Sequence, residues 1–293
     1  MGRSIIKTPR WGGLSRAALS ALLGALLAAC ALGPSEVATP REPAPPAASA
    51  VVPLLAPDAV RSALAPTGRL RVAVYPGSPT SLVREAPPEQ MRGLSVEIGR
   101  EMARRLGVQA EIVVHARVAE IIDALKAGRV DVTITNATPA RAAEVDFTPP
   151  LVALELGVLV LPGSPVADVA GIDQTGVRIG VSQGSSSQAA LSRSLRLASL
   201  VPAASLQQAR EQLQARSSDA FATNKGILFE MADQLPGARV LAGRWGLEQL
   251  AIAVPQGRTT AAVWLRDFAA EVRASGLVQQ AAQRAGLRGL AGE

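Results

Sequence analysis

Only one cysteine, Cys30, and one histidine, His115, occur in the 293 residues, and each scarcity excludes chemistry. A single thiol cannot form a disulfide within the chain. A lone histidine without matching partners does not make a catalytic triad or a histidine-rich metal site. His115 follows an apolar run and reads as a structural or cleft-lining residue. Asp123, Asp131, Glu144 and Asp146 lack the spacing of a calcium loop and read as turn and helix-surface residues. No cofactor is expected. Aromatic residues make up 3% of the chain, and three of its 30 basic residues are lysines (Lys7, Lys126 and Lys225). The high isoelectric point therefore reflects arginine, and no basic cluster with interleaved aromatics marks a nucleic-acid surface. The net charge of +6 is also uneven: four cations and no anions lie before residue 30, leaving 26 against 24, or +2.

A long hydrophobic run is missing too. Ala17 to Leu27 is an apolar stretch of about 11 residues, where a bilayer span needs ~20. Behind Arg3, Lys7, Arg10 and Arg16 it reads as the core of an export signal over residues 1–29. It ends in Leu27-Ala28-Ala29-Cys30, which resembles the lipobox of bacterial lipoproteins. That resemblance implies cleavage before Cys30 and a lipid anchor on its thiol. An ordinary signal followed by a chance cysteine is the alternative. Residues 30–66 are rich in Pro, Ala and Ser, cannot build a core, and read as a disordered tether.

What remains alternates short apolar runs with helical spacing, the signature of an α/β protein. Strands are expected over Arg69–Val74, Glu111–Val114, Val130–Thr135, Leu156–Leu161, Val177–Val181 and Gln249–Val254. Helices are expected over Leu94–Leu106, Val118–Ala127, from about Ser187, and from about Thr260 to Ala285. The segments LKAGRVDVTITN (125–136) and LQARSSDAFATN (213–224) share Leu, Ala, Asp, Thr and Asn at equal spacing. If the repeat is structural, Thr135-Asn136 and Thr223-Asn224 end equivalent strands and face one cleft from opposite walls.

The most informative stretch runs from Ala124 to Pro150. A helix end and a short strand lead into Thr138, a helix cap, then Pro139 in the first helical position, then Arg141. Free N–H groups, a helix dipole and a guanidinium would converge on one point, a receptor for an anion such as a carboxylate. Gly128-Arg129-Val130-Asp131, Thr138-Pro139-Ala140-Arg141-Ala142 and Val145-Asp146-Phe147-Thr148-Pro149-Pro150 match, in order, the pattern of the family 3 extracellular solute-binding proteins. These are the receptors of polar amino-acid ABC importers.

The resemblance implies a two-lobed, type II periplasmic-binding-protein-like fold, α/β throughout, with two crossing strands. LGVLVL and QLAIAV would be those crossings, lobe 1 being 67–160 plus 250–293 and lobe 2 being 161–249. It implies that Arg141 grips a ligand carboxylate, or else is a solvated arginine or a partner of Glu144. It places Thr135, Asn136 and Thr138 beside that grip. Gln183-Gly184-Ser185-Ser186-Ser187, between a strand and a helix, forms an anion-binding nest in which Ser185 and Ser186 are candidate contacts; a flexible polar cap is the alternative. Family members that bind amino acids hold the ammonium with a carboxylate at the position of Asn224. A second acidic position falls near Tyr75, and the stacking aromatic is replaced by Leu94. Carboxylate capture is thus retained and ammonium capture lost, which predicts that 2-hydroxy or simple carboxylates bind better than amino acids.

The expected function is a lipid-anchored, monomeric receptor in the periplasm or cell envelope. It would capture a small anionic solute for an ABC permease and would not be an enzyme. The alternatives are a sensor or accessory protein of the same fold, or an enzyme resembling cyclohexadienyl dehydratase with Glu155 as its general acid.

Overall fold

The computed structural model describes residues 55–84 and 86–292. The export signal, Cys30 and most of the tether lie outside these residues. Among the described residues no helix is long and apolar enough to cross a membrane.

In chain order, helix α1 (Asp58–Leu64) precedes β1 (Arg69–Val74), α2 (Leu94–Leu106), β2 (Gln109–Val114), α3 (Val118–Lys126), β3 (Thr133–Asn136), α4 (Pro139–Ala142) and β4 (Val145–Phe147). Strand β5 (Val152–Val160) leads to β6 (Arg178–Ser182), α5 (Ser186–Ser194), β7 (Ser199–Ala203), α6 (Leu206–Gln214), β8 (Ala220–Asn224), α7 (Lys225–Ala232) and β9 (Arg239–Val240). The chain closes with β10 (Gly246–Pro255), α8 (Thr259–Ala274) and α9 (Leu277–Arg284).

Periodicity explains most of these elements. In α2, Leu94, Ile98 and Met102 recur at four-residue spacing and are fully buried, and Gly107 ends the helix at φ 66°. On the same helix the buried Arg105 donates to Glu101 at 2.6 Å, reaches Glu271 of α8 at 2.8 Å, and lies 5.0 Å over the Phe268 ring. One core gathers Leu70, Val72, Leu94, Ile98, Ile252 and Phe268. Val158, Val160, Ile179 and Val181 belong to a second core, and Leu159, Leu206, Phe221 and Leu228 to a third.

The two-lobed architecture follows from how β5 and β10 change partners. Residues 152–156 of β5 pair with β10, whereas 156–160 pair with β8, both antiparallel. Strand β10 does the converse, leaving β5 at Leu250 for β3 and then β4. The main path is β3-β10-β5-β8-β6-β7, with β6 parallel to β7 and β8. Strands β1 and β2 pair in parallel, and a single bridge between Val72 and Val132 ties β1 to the approach of β3. LGVLVL is therefore the second half of a longer crossing strand.

Strand β3 begins three residues later than its apolar pattern suggests, because Asp131 is turned into an ion pair. Arg71 donates to it through the backbone N–H at 3.0 Å, Nε at 2.9 Å and Nη2 at 2.7 Å. Asp219 receives the same three bonds from Arg178, at 2.8, 3.1 and 2.8 Å. The turns before them also match: Gly128 has φ 64° and Arg216, a non-glycine, has φ 57°. The repeated sequence thus builds the same helix–turn–strand device twice, and Thr135-Asn136 and Thr223-Asn224 end both copies.

Candidate functional site: a buried cleft with opposed charges

The elements above converge on a small cavity of about 30 Å3. Arg141 and Thr135 come from the first repeat, and Thr223 and Asn224 from the second. Tyr75 follows β1, while Ser185, Ser186 and Ser187 open α5. Arg117 precedes α3, Ser205 caps α6, and Glu248 lies on β10.

Arg141 is 8% exposed, so it is not a solvated helix arginine. Nor is it paired with Glu144, which takes Lys126 at 2.9 Å. Its Nη1 donates to Thr135 Oγ1 at 2.8 Å and to the Asn136 carbonyl at 3.3 Å. Burial holds its pKa below the usual guanidinium value, with Glu248 the leading opposing influence. The helix behind it differs from expectation. Thr138 caps it at 3.3 Å, but α4 spans only Pro139–Ala142, a single turn whose dipole is small. The positive charge here is therefore the guanidinium's, and Thr138 does not border the cavity.

Asn136 does not border the cavity either. Its Oδ1 accepts from the Gln249 N–H at 3.0 Å, and its Nδ2 donates to Ser186 Oγ at 3.1 Å. It joins the end of β3 to the start of α5, closing the cleft from one side.

Across the cleft, Ser185 caps α5 by accepting from the Gln188 N–H at 3.1 Å, and Gln188 Oε1 accepts from the Gly184 N–H at 2.6 Å. The same box recurs at α6, where Ser205 accepts from Gln208 at 3.1 Å. Gly184 is required by two constraints. Its φ is 72°, and a Cβ there would sit 2.6 Å from the Ala119 Cβ of α3. The nest thus approaches the opposite wall more closely than any side chain allows.

Tyr75 is placed by its N–H, which donates to Ser81 Oγ at 2.8 Å, and its hydroxyl contacts Ser78 at 3.4 Å. Burial raises its pKa. Leu94, at the position of the stacking aromatic, is fully buried in the first core and offers no stacking surface. Asn224 caps α7, its Oδ1 accepting from the Ile227 N–H at 3.1 Å.

The largest departure from the sequence reading is Glu248. It is 8% exposed and borders the cavity beside Asn224. Burial raises the Glu248 pKa, while Asn224 and Arg141 pull it down. The expectation that the cleft holds no negative partner for an ammonium therefore fails. The missed signal was phase: Glu248 shares a face with Leu250, Ile252 and Val254 along β10, all buried. A carboxylate in the buried register of a strand is exceptional.

Glu155, the general acid an enzyme reading would use, does not border the cavity. Lys225 at 2.6 Å and Arg244 at 2.9 Å hold it, and their bonds keep its pKa below the usual range. Arg117 borders the cavity with its charge matched by Glu120 at 3.0 Å. His115 lies outside the cavity wall, and burial lowers its pKa. Trp264 is core, stacked on Phe268 at 5.2 Å, and Trp245 donates to the Gly157 carbonyl at 2.9 Å. No group of three His, Cys, Asp or Glu side chains among the described residues could hold a metal ion.

Residues 70–286 match the family model of the bacterial extracellular solute-binding proteins, family 3. The chain belongs to that family. Solved structures agree on the fold. The L-cysteine solute receptor of Neisseria gonorrhoeae is 24% identical, with a TM-score of 0.68 over 77% of this chain and 92% of its own. An amino acid ABC transporter substrate-binding protein of Streptococcus pneumoniae, bound to L-arginine, is 19% identical at a TM-score of 0.68, covering 78% and 99%. An ancestral amino acid-binding protein, a precursor of cyclohexadienyl dehydratase, is 21% identical at 0.66, covering 76% and 97%. No curated protein matches the chain.

Proposed function

We propose that this solute-binding protein captures a small carboxylate-bearing solute between its lobes and hands it to an ABC permease at the cell envelope. The observation that carries the reading is Arg141. Its guanidinium is buried, borders the cavity, bonds only to a hydroxyl and a carbonyl, and forms no ion pair among the described residues. A buried cation without a counter-charge is costly unless an anion arrives to meet it. Ser185, Ser186 and Ser187 present the first turn of α5 from the facing wall, so an anion held by Arg141 would draw the lobes together.

The structural relatives above carry L-cysteine or L-arginine in their descriptions, and both molecules bear a carboxylate. The reading includes the lobe limits 67–160 plus 250–293 and 161–249, a monomer, and attachment through lipid on Cys30. A thermal-shift screen over organic acids, amino acids, phosphonates and sulfonates tests it. Stabilising compounds should bear an anionic group and lose their effect with Arg141→Ala. Hits without an anion, unchanged in that variant, would overturn the reading.

A further inference from the structure

Beyond α9 the chain turns at Gly286, with φ 66°, into a segment that the cleft does not use, Leu287 to Ala291. The family match ends at residue 286, just before it. Leu287 is buried in the first core together with Val278, Ala281 and Ala282 of α9, so the segment is rooted there. It then runs along β5. The Glu155 N–H donates to the Gly289 carbonyl at 2.9 Å, and the Ala291 N–H donates to the Ala153 carbonyl at 2.9 Å. Leu290 stands opposite Leu154 in an antiparallel bridge. Residues 152–156 of β5 already pair with β10, so the segment takes the other edge of the strand. Strand β8 takes that edge from Leu156 onward. The crossing strand is thus covered on both edges where it changes partners.

The same segment grips α7. A Cβ on Gly289 would sit 2.4 Å from the Lys225 Cβ, and one on Gly226 would sit 2.6 Å from Leu287 Cδ1. A glycine on each element therefore lets the segment and the helix approach more closely than side chains allow. The Arg288 guanidinium lies 4.8 Å over the Phe229 ring and pairs with Asp233, one turn further along α7. Lys225 in turn holds Glu155 of β5 at 2.6 Å. Ile227, Leu228 and Met231 of α7 belong to the third core. A short stretch of chain therefore ties the first core, the crossing strand and a helix of the third core to one another.

We propose that Leu287–Ala291 is a brace, a third connection between the two halves besides β5 and β10, and that it limits how far the cleft opens. The helix it holds begins directly after Asn224, which borders the cavity and caps that helix. Swinging α7 away from the first core would have to part Gly289 from Lys225, lift Arg288 off Phe229 and uncover the edge of β5. The Arg288–Asp233 pair adds little to this resistance, because both side chains are about half exposed. The backbone ladder and the glycine packing carry it, since both demand one relative position of segment, strand and helix.

The test uses the full chain, a variant lacking residues 288–293, which keeps the buried Leu287, and Gly289→Ala, whose methyl would meet Lys225. Amide hydrogen exchange and small-angle scattering are read for each. Both variants should show a larger radius of gyration than the wild type. Exchange across residues 227–231 of α7 should rise about tenfold or more, with α2 unchanged as the control for an intact first core. Wild-type dimensions, with faster exchange confined to residues 287–292, would show mere local packing and overturn the brace. Asp233→Ala should leave both readouts near wild type, and dimensions as large as those of the deletion would overturn the assignment of the resistance to packing. If exchange in α2 also rises, the variants have lost their fold and the unaltered chain decides. There the Glu155 and Ala291 amides should be as protected as those of α7. Exchange at the rate of an open chain would show that the segment is not held, and would overturn the proposal.

Discussion

Asn224 lowers the pKa of the buried Glu248 carboxyl, and its own oxygen caps helix α7 at 3.1 Å. One amide therefore couples the start of a helix to a buried charge on the strand that joins the lobes.

Arg141→Ala should weaken binding of a carboxylate-bearing solute by roughly ten- to a hundredfold, since a charge-assisted hydrogen bond contributes ~1.5–3 kcal/mol. The melting temperature without solute should not fall much, because no ion pair is broken. Titration calorimetry checks this; unchanged affinity would remove Arg141 from the site.

Glu248→Gln should stabilise the solute-free protein near neutral pH. Burial raises the carboxyl above its unfolded value. The native state then holds the proton more tightly, so the contribution of Glu248 is fully present below the unfolded pKa and is lost as pH rises through the folded one. The glutamine removes that slope. Each unit of raised pKa corresponds to about 1.4 kcal/mol. Urea unfolding at several pH values checks the sign; a less stable variant at neutral pH would contradict it.

Asp131→Asn should destabilise more than Asp219→Asn, although both aspartates receive three bonds from one arginine. The Asp131 side chain is fully buried and Arg71 is 17% exposed, whereas Arg178 is 41% exposed. Breaking a buried pair costs ~3–5 kcal/mol, and an exposed pair ~1 kcal/mol or less. Equal losses in denaturant midpoint would refute the difference.

Gly184→Ala should impair closure. The new methyl would combine a left-handed backbone, costing about 1–2 kcal/mol, with a 2.6 Å approach to the Ala119 Cβ. Small-angle scattering should show a larger radius of gyration than for the wild type, and solute affinity should fall. Wild-type dimensions and affinity would show that α3 and the nest separate without cost.

Much of this was legible in the chain. Leu94–Leu106 reads as a helix from four-residue spacing and a terminal glycine, and forms with those bounds. Arg69–Val74 does the same as a strand. The repeat anchored on Asp131 and Asp219 pointed to two like devices, and Thr135, Thr223 and Asn224 do meet at one cavity. Asn136 and Thr138 misled because their hydrogen bonds are taken up nearby, by Ser186 and Gln249 for the first and by the α4 cap for the second.

The sequence by itself determined the local matters: where helices start and stop, which strand faces are apolar, and which loops carry hydroxyls and glycine. Those depend on neighbours within a few residues, through backbone hydrogen bonds and side-chain periodicity. Only the tertiary structure decided the charge of the cleft. Arg141 and Glu248 belong to different strand–helix units, and they share one cavity because β10 pairs with β3 and β5 in a register that turns residue 248 inward. Register between distant strands is set by the packing of whole faces, so a one-residue slip would have sent that carboxylate to solvent.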